Sequence, residues 1–164
     1  MSRRVFFSFH YKPDNWRAAQ IRNLGVLSGN RPATDNGWET VKRGGVQAIR
    51  AWIDQELEGR TCTIVLIGEN TAGRKWINYE IKKSWTQGKG LLGIYIHNLH
   101  DASGNRSPKG ANPFSEFTMN DRTLSRIIKV YDPPFSRSRS VYNHIAENVE
   151  GWIEEAIAIR RRFK

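Results

Sequence analysis

Trp76 and Glu80 lie four residues apart in the segment Arg74-Lys75-Trp76-Ile77-Asn78-Tyr79-Glu80-Ile81. On a helix each residue turns about 100°, so the two side chains sit about 40° apart, one turn along the same side. Ile77 and Ile81 occupy the neighbouring face and would fix that helix against a sheet. A carboxylate beside an aromatic surface suits glycosidic cleavage of a nucleotide. The ring excludes water and stacks on a base, while the carboxylate hydrogen-bonds ribose hydroxyls and steadies an oxocarbenium-like centre. From spacing alone the plainer reading is the stronger: an exposed helical glutamate paired with Lys82 or Lys83.

The elements that must position these residues are legible as patterns. Val5 to Phe9 is an apolar, aromatic-rich run that reads as a buried strand. A first short helix is expected from Trp16 to about Asn23, and a weak second strand over Gly25-Val26-Leu27-Ser28. Turn-forming residues fill Gly29 to Gly37, which predicts a long surface loop. Val46, Ile49, Ile53 and Leu57 recur at helical spacing and stop at Gly59. Thr61 to Ile67 is apolar or small on both alternating faces, as a central parallel strand requires. Ile77, Ile81 and Trp85 mark the next helix, Leu91 to Ile96 the next strand, and about His97 to Phe114 a second long loop. Ile127 to Tyr131 reads as a last strand, stopped by Pro133-Pro134. Val141, Ile145, Val149, Trp152 and Ala156 outline a long closing helix with an arginine-rich last turn. Strands alternating with helices imply an α/β fold, a central parallel sheet covered on both faces. Ligands of such sheets bind at the carboxyl ends of strands, here after Phe9, Ile67 and Ile96.

Composition bounds the function classes. A chain of 164 residues is expected to form one domain, 1–164, with a sizeable core. The single Cys62 excludes a disulfide framework and fits a reducing cytoplasm. No apolar run approaches the ~20 residues that span a bilayer, and the opening apolar run is too short for a signal peptide. The net charge of +10 admits either phosphate neutralisation or a solvated basic surface with a small anionic ligand. The basic residues are scattered, and no nucleic-acid-binding motif organises them, so specific nucleic-acid binding is not the expected function.

Other candidate motifs lose their context. Gly88-Lys89-Gly90-Leu91-Leu92-Gly93 matches a dinucleotide-binding pattern, but it follows a helix and enters a strand, the reverse of the required order. The glycines read instead as a helix stop and a close-packed strand. His97, His100 and Asp101 lack a further clustered ligand, so no metal site is expected. Cys62 belongs to a buried-strand pattern, and Ser8 and Ser84 lack a His/Asp partner for a hydrolase triad. Ser136-Arg137-Ser138-Arg139-Ser140 reads as a solvated hinge ending in a serine helix cap.

Arg4-Val5-Phe6-Phe7-Ser8-Phe9-His10-Tyr11 resembles the opening strand of TIR domains, and Trp76-Ile77-Asn78-Tyr79-Glu80 resembles their Trp-x-x-x-Glu helix start. With Cys62 to Gly68, Tyr79 to Ser84 and Asn112-Pro113-Phe114, the ordered set is similar to the bacterial TIR-like family of Thoeris antiphage systems, the ThsB type, over roughly residues 3–131. That resemblance implies a flavodoxin-like, TIR-type fold. It implies an enzyme that cleaves NAD at its N-glycosidic bond, releasing nicotinamide and a signalling nucleotide of ADP-ribose, typically cyclic. NAD is then a substrate, and no cofactor or metal is implied. A separate effector protein senses the product, and assembly into a homo-oligomer on activation is compatible with the resemblance. By the same transfer Glu80 is the catalytic carboxylate, and Phe9, His10 and Tyr11 border the nicotinamide-ribose pocket. Trp76 lines the site, and Trp38, Lys42 and Arg43 contact adenine or pyrophosphate. His10 stands where many TIR domains carry a basic residue. The alternative is a non-enzymatic TIR-like adaptor acting through protein–protein contacts.

Overall fold

The computed structural model describes residues 3–25, 27–29, 41–119 and 121–163. Five strands form one parallel sheet in the order β2-β1-β3-β4-β7. They are β1 (Arg4–Ser8), β2 (Ser28–Gly29), β3 (Cys62–Ile67), β4 (Gly90–Tyr95) and β7 (Val130–Tyr131). Numbered within this sheet alone the order is 2-1-3-4-5, the flavodoxin-like arrangement, with its crevice where chain direction reverses beside β1. Among the described residues the helices that flank it include α1 (Tyr11–Arg22), α2 (Gly45–Leu57), α3 (Lys75–Thr86) and α4 (Ser138–Arg161). A small antiparallel ribbon of β5 (Thr118–Met119) and β6 (Arg122–Thr123) stands outside the sheet.

Every residue of β3 and β4 is buried, because helices cover both sheet faces. Register assigns the faces. Phe6 pairs with Thr63 and Ser8 with Val65, while Val5 pairs with Cys62 and Phe7 with Ile64. Val5, Phe7, Ile64 and Leu66 pack with Ala18 and Ile21 of α1 and with Val141, Ile145 and Val149 of α4. On the other face, Phe6 packs under α2 while Val65 and Ile67 pack under α3.

The strongly periodic segments form as expected, and departures occur where polar or irregular packing decides. Helix α1 begins at Tyr11, five residues before the expected start, because Pro13 falls in its first turn, where a missing N–H costs nothing. Strand β2 is confined to Ser28–Gly29, since Gly25 turns the chain at φ +79. The expected loop over 29–37 lies almost wholly outside the described residues. The last strand is shorter than 127–131, because a 3-10 turn at Leu124–Arg126 precedes it. Helix α4 starts inside the serine–arginine run, which is therefore no separate hinge; Arg137 holds the N-cap position without a side-chain cap, and Ser138 Oγ instead accepts the His100 amide at 2.9 Å. Ile153, not Trp152, completes the buried stripe of α4, and Trp152 stacks on Tyr131 with ring centroids 4.1 Å apart.

The long segment after β4 is built as a wall. Arg17 of α1 is only 4% exposed, and its guanidinium donates to Leu99 O at 2.7 Å and Asn105 O at 2.9 Å while facing Asp14 at 3.3 Å. A guanidinium is tolerated inside because nearly all of its donors find acceptors. Farther along, Lys109 pairs with Asp132 at 2.9 Å and covers the Tyr95 ring. Gly110 then rests on the backbone after β3, where an added Cβ would lie 2.1 Å from Gly68 O.

The glycines of the 88–93 stretch serve packing. Gly88 (φ +76) ends α3, with its own amide bonded to Trp85 O and the Lys89 amide to Ser84 O, a Schellman stop. Gly90 lies directly under α4: a Cβ there would meet the Ile157 nitrogen at 2.9 Å and the Ala156 carbonyl carbon at 3.0 Å. Helix backbone cannot yield as a flexible side chain can. Gly90→Ala is therefore expected to cost about 1–3 kcal/mol, read as a lower urea midpoint at unchanged m-value.

Candidate active site

Helix α3 carries two apolar stripes rather than one. Taking Trp76 as zero and about 100° per residue, Ile77, Ile81 and Trp85 fall at about 100°, 140° and 180°. These three pack on Val65, Ile67, Leu91 and Tyr95. Tyr79 falls at about −60°, next to Trp76, and both pack toward Phe6 and the Ile49, Ile53 and Leu57 stripe of α2. Glu80 and Ser84, at about 40° and 80°, occupy the gap between the two stripes. The gap faces the sheet, so both are buried, Glu80 at 8% exposure and Ser84 completely.

A hydroxyl seam fills that gap. Ser8 Oγ, at the carboxyl end of β1, donates to Glu80 Oε1 at 2.9 Å. Ser84 Oγ donates to the Glu80 carbonyl at 2.7 Å, and its oxygen lies 2.7 Å from Thr63 Oγ1. Ser84 has one proton and gives it to the carbonyl, so Thr63 is the donor of that pair. Burial pushes the Glu80 carboxyl up to about 8, offset only in part by the Ser8 bond. The carboxyl is thus largely protonated near neutral pH. Lys83, the expected surface partner, reaches Asp54 of α2 at 3.8 Å, and Lys82 is exposed. The plain surface ion pair is therefore not what this glutamate makes.

Of the other expected residues, Phe9, His10 and Tyr11 follow directly on the end of β1. His10 is half-buried with an unpartnered Nδ1, and burial followed by the nearby Arg74 charge holds its pKa below the ordinary value. Phe9 packs on the α1 and α4 side of the sheet, 6.2 Å from the half-buried Tyr11 ring. The structure thus brings Ser8 rather than Phe9 to Glu80. The Trp76 indole meets Tyr79 edge-on at 5.7 Å, with Lys75 over it at 5.0 Å. Lys42 and Arg43 are exposed on a short helical turn before α2, and Trp38 lies outside the described residues. Cys62 is buried and its thiol is pushed up to about 12, which makes it inert. His97 is buried edge-on against Tyr95, whereas His100 is exposed.

Ser8, Thr63, Ser84 and Arg74 are the site residues that spacing does not find. The one available signal for Ser8 is strand alternation, which places it on the Phe6 face.

Two measurements check this electrostatic arrangement. The folded pKa of Glu80 exceeds its unfolded value near 4.5. Its stabilising contribution is therefore complete below the unfolded value and is lost as pH rises through about 8. Across that window the stability of the wild-type chain should fall relative to Glu80→Gln by up to about 1.4 kcal/mol per pH unit, measured by urea unfolding. Ser8→Ala should raise the Glu80 pKa further, read from its carboxyl carbon by NMR titration.

Comparison with known proteins bears on the family of the chain. The family model for the TIR-like domain of Thoeris protein ThsB matches residues 6–101. A curated protein of Bacillus cereus (strain MSX-D12), "Putative cyclic ADP-D-ribose synthase ThsB1", is 39% identical over 119 residues. The match covers 70% of this chain and 62% of that protein, so the aligned segment spans less than two thirds of the relative's length. The matched family segment contains the last three residues of β1 and all of β3, α3 and β4, hence Ser8 and Glu80 together. The chain belongs to the TIR-like domain family of Thoeris protein ThsB.

Proposed function

We propose that this chain cleaves NAD at the bond between nicotinamide and ribose, with Glu80 as the catalytic carboxylate, and converts the remainder into a cyclic ADP-ribose-type signal for antiphage defence. The observation that carries the reading is the Ser8–Glu80 bond, which holds a buried carboxyl at the carboxyl end of the sheet's first strand. The name of the Bacillus cereus relative, "Putative cyclic ADP-D-ribose synthase ThsB1", supports the same chemistry.

The nicotinamide of NAD is already cationic, so it departs as a neutral base and needs no general acid. What the site must supply is a negative charge against the ribosyl cation and exclusion of water. A carboxyl in a dry seam is protonated at rest. The positive nicotinamide riboside favours its ionised form, so charge develops where the cation will form. The proton leaves to solvent, the glycosidic bond breaks toward nicotinamide, and a nucleophile of the same ADP-ribose captures the ribosyl carbon and loses its own proton. His10, Tyr11 and Trp76 shape the nicotinamide-ribose side beside Ser8, and Phe9 backs it from the α1 and α4 side of the sheet. Trp38, Lys42 and Arg43 contact the adenine and pyrophosphate side, and the charge of Arg74 reaches His10 on the nicotinamide-ribose side. The product passes to a separate effector, and the active form is a homo-oligomer.

Nicotinamide release, followed on the purified protein and in cells during phage infection, tests the assignment. Glu80→Gln is expected to lower the rate by roughly 100-fold or more while circular dichroism is unchanged. Retained release would remove Glu80 from the mechanism. Absence of release from the wild-type chain in both settings would favour the adaptor reading. Because the ionised carboxylate is the working form, kcat/KM should rise with pH and level off above about 8.

A further inference from the structure

At the opposite end of the sheet a groove of about 540 Å3 opens between the β5–β6 ribbon, the 3-10 turn and the end of α4. Arg122, Arg126, Lys129 and Arg162 line it with Phe163, and Asp121 is the one acid on its wall. Lys129 pairs with Glu155. Arg122, Arg126 and Arg162 have no carboxylate within ion-pair distance among the described residues. All three are exposed.

The groove is a built structure. Arg160 lies over the Trp85 ring at 4.4 Å and donates to the Trp85 carbonyl at 3.0 and 2.8 Å. Trp85 packs on Phe163 at 5.8 Å, and Arg122 covers Phe163 at 4.9 Å. This cation–ring–ring–cation stack ties the end of α4 to the end of α3 and fixes one guanidinium at the groove wall before any ligand arrives. The groove residues lie beyond the 6–101 segment that the family model matches.

We propose that this groove binds a compact polyphosphate of the nucleoside di- or triphosphate class. Guanidinium groups present paired, coplanar donors that match phosphate oxygens. Three of them line one groove, with Asp121 on its wall and Glu155 within electrostatic reach of Arg162, and the cationic excess answers an anion of two or three phosphates. A cavity of this volume accepts a small molecule. A nucleic-acid backbone would require cations spread along a longer track. Both faces of the indole–phenyl stack are occupied, so affinity should come from the phosphates and not from a stacked base.

Calorimetric titration of the full chain at low salt, about 50 mM, with inorganic tripolyphosphate, ATP, adenosine and a short single-stranded oligonucleotide tests the proposal. Tripolyphosphate and ATP should bind with similar affinity and adenosine should not. Arg126→Glu with Arg162→Glu, which leaves the aromatic stack intact, should weaken both by roughly tenfold or more. Arg137→Glu with Arg139→Glu lowers net charge equally at exposed positions and should change affinity less than about twofold. Equal losses in the two double variants would reduce the effect to net charge and overturn the site. So would absence of tripolyphosphate binding, or tight capture of the oligonucleotide alone. The readout is binding, so its outcome is independent of nicotinamide release and of Glu80.

Discussion

A carboxyl group with one hydroxyl partner, held between two apolar clusters, is the constraint around which this molecule is arranged. Removing a charge from water costs far more than one neutral hydrogen bond returns, so the group stays protonated unless a positive partner arrives. For Glu80 to sit there, α3 must be fixed from both sides. Ile77, Ile81 and Trp85 fasten it to the Val65 and Ile67 side of the sheet, and Trp76 and Tyr79 fasten it to α2. The seam exists because the two fastenings leave an unfilled angle between them, and hydroxyls close it.

The 97–114 wall belongs to the same arrangement. It meets the backbone after β3 at Gly110 and is clamped to α1 through Arg17. One end of the sheet is therefore framed by polar groups buried on purpose-built acceptors. At the other end, exposed arginines line a groove beside an aromatic stack.

Periodicity made the sheet and most helices readable. β3 and β4 are two-sided apolar runs, and α2, α3 and α4 repeat every three or four residues. Periodicity fails where burial is polar. Asp14 and Arg17 are interior residues of α1, which leaves that helix almost without an amphipathic signal. It also fails for very short elements, since two residues of β2, β5, β6 or β7 carry no period. Glu80 was legible because a resemblance singled it out from other helical glutamates. Ser8 and Thr63 were not, because a hydroxyl in a strand looks the same whether it faces a carboxyl or a methyl group, and its partner is 72 residues away for Ser8.

Glu80 is anchored by its main chain as well as by its side chain, since Ser84 grips its carbonyl while Thr63 grips Ser84. Its repertoire of motion is thereby reduced to rotation about its own side-chain bonds. Unwinding the helix at this turn would therefore break two hydroxyl bonds besides the ladder of α3 itself.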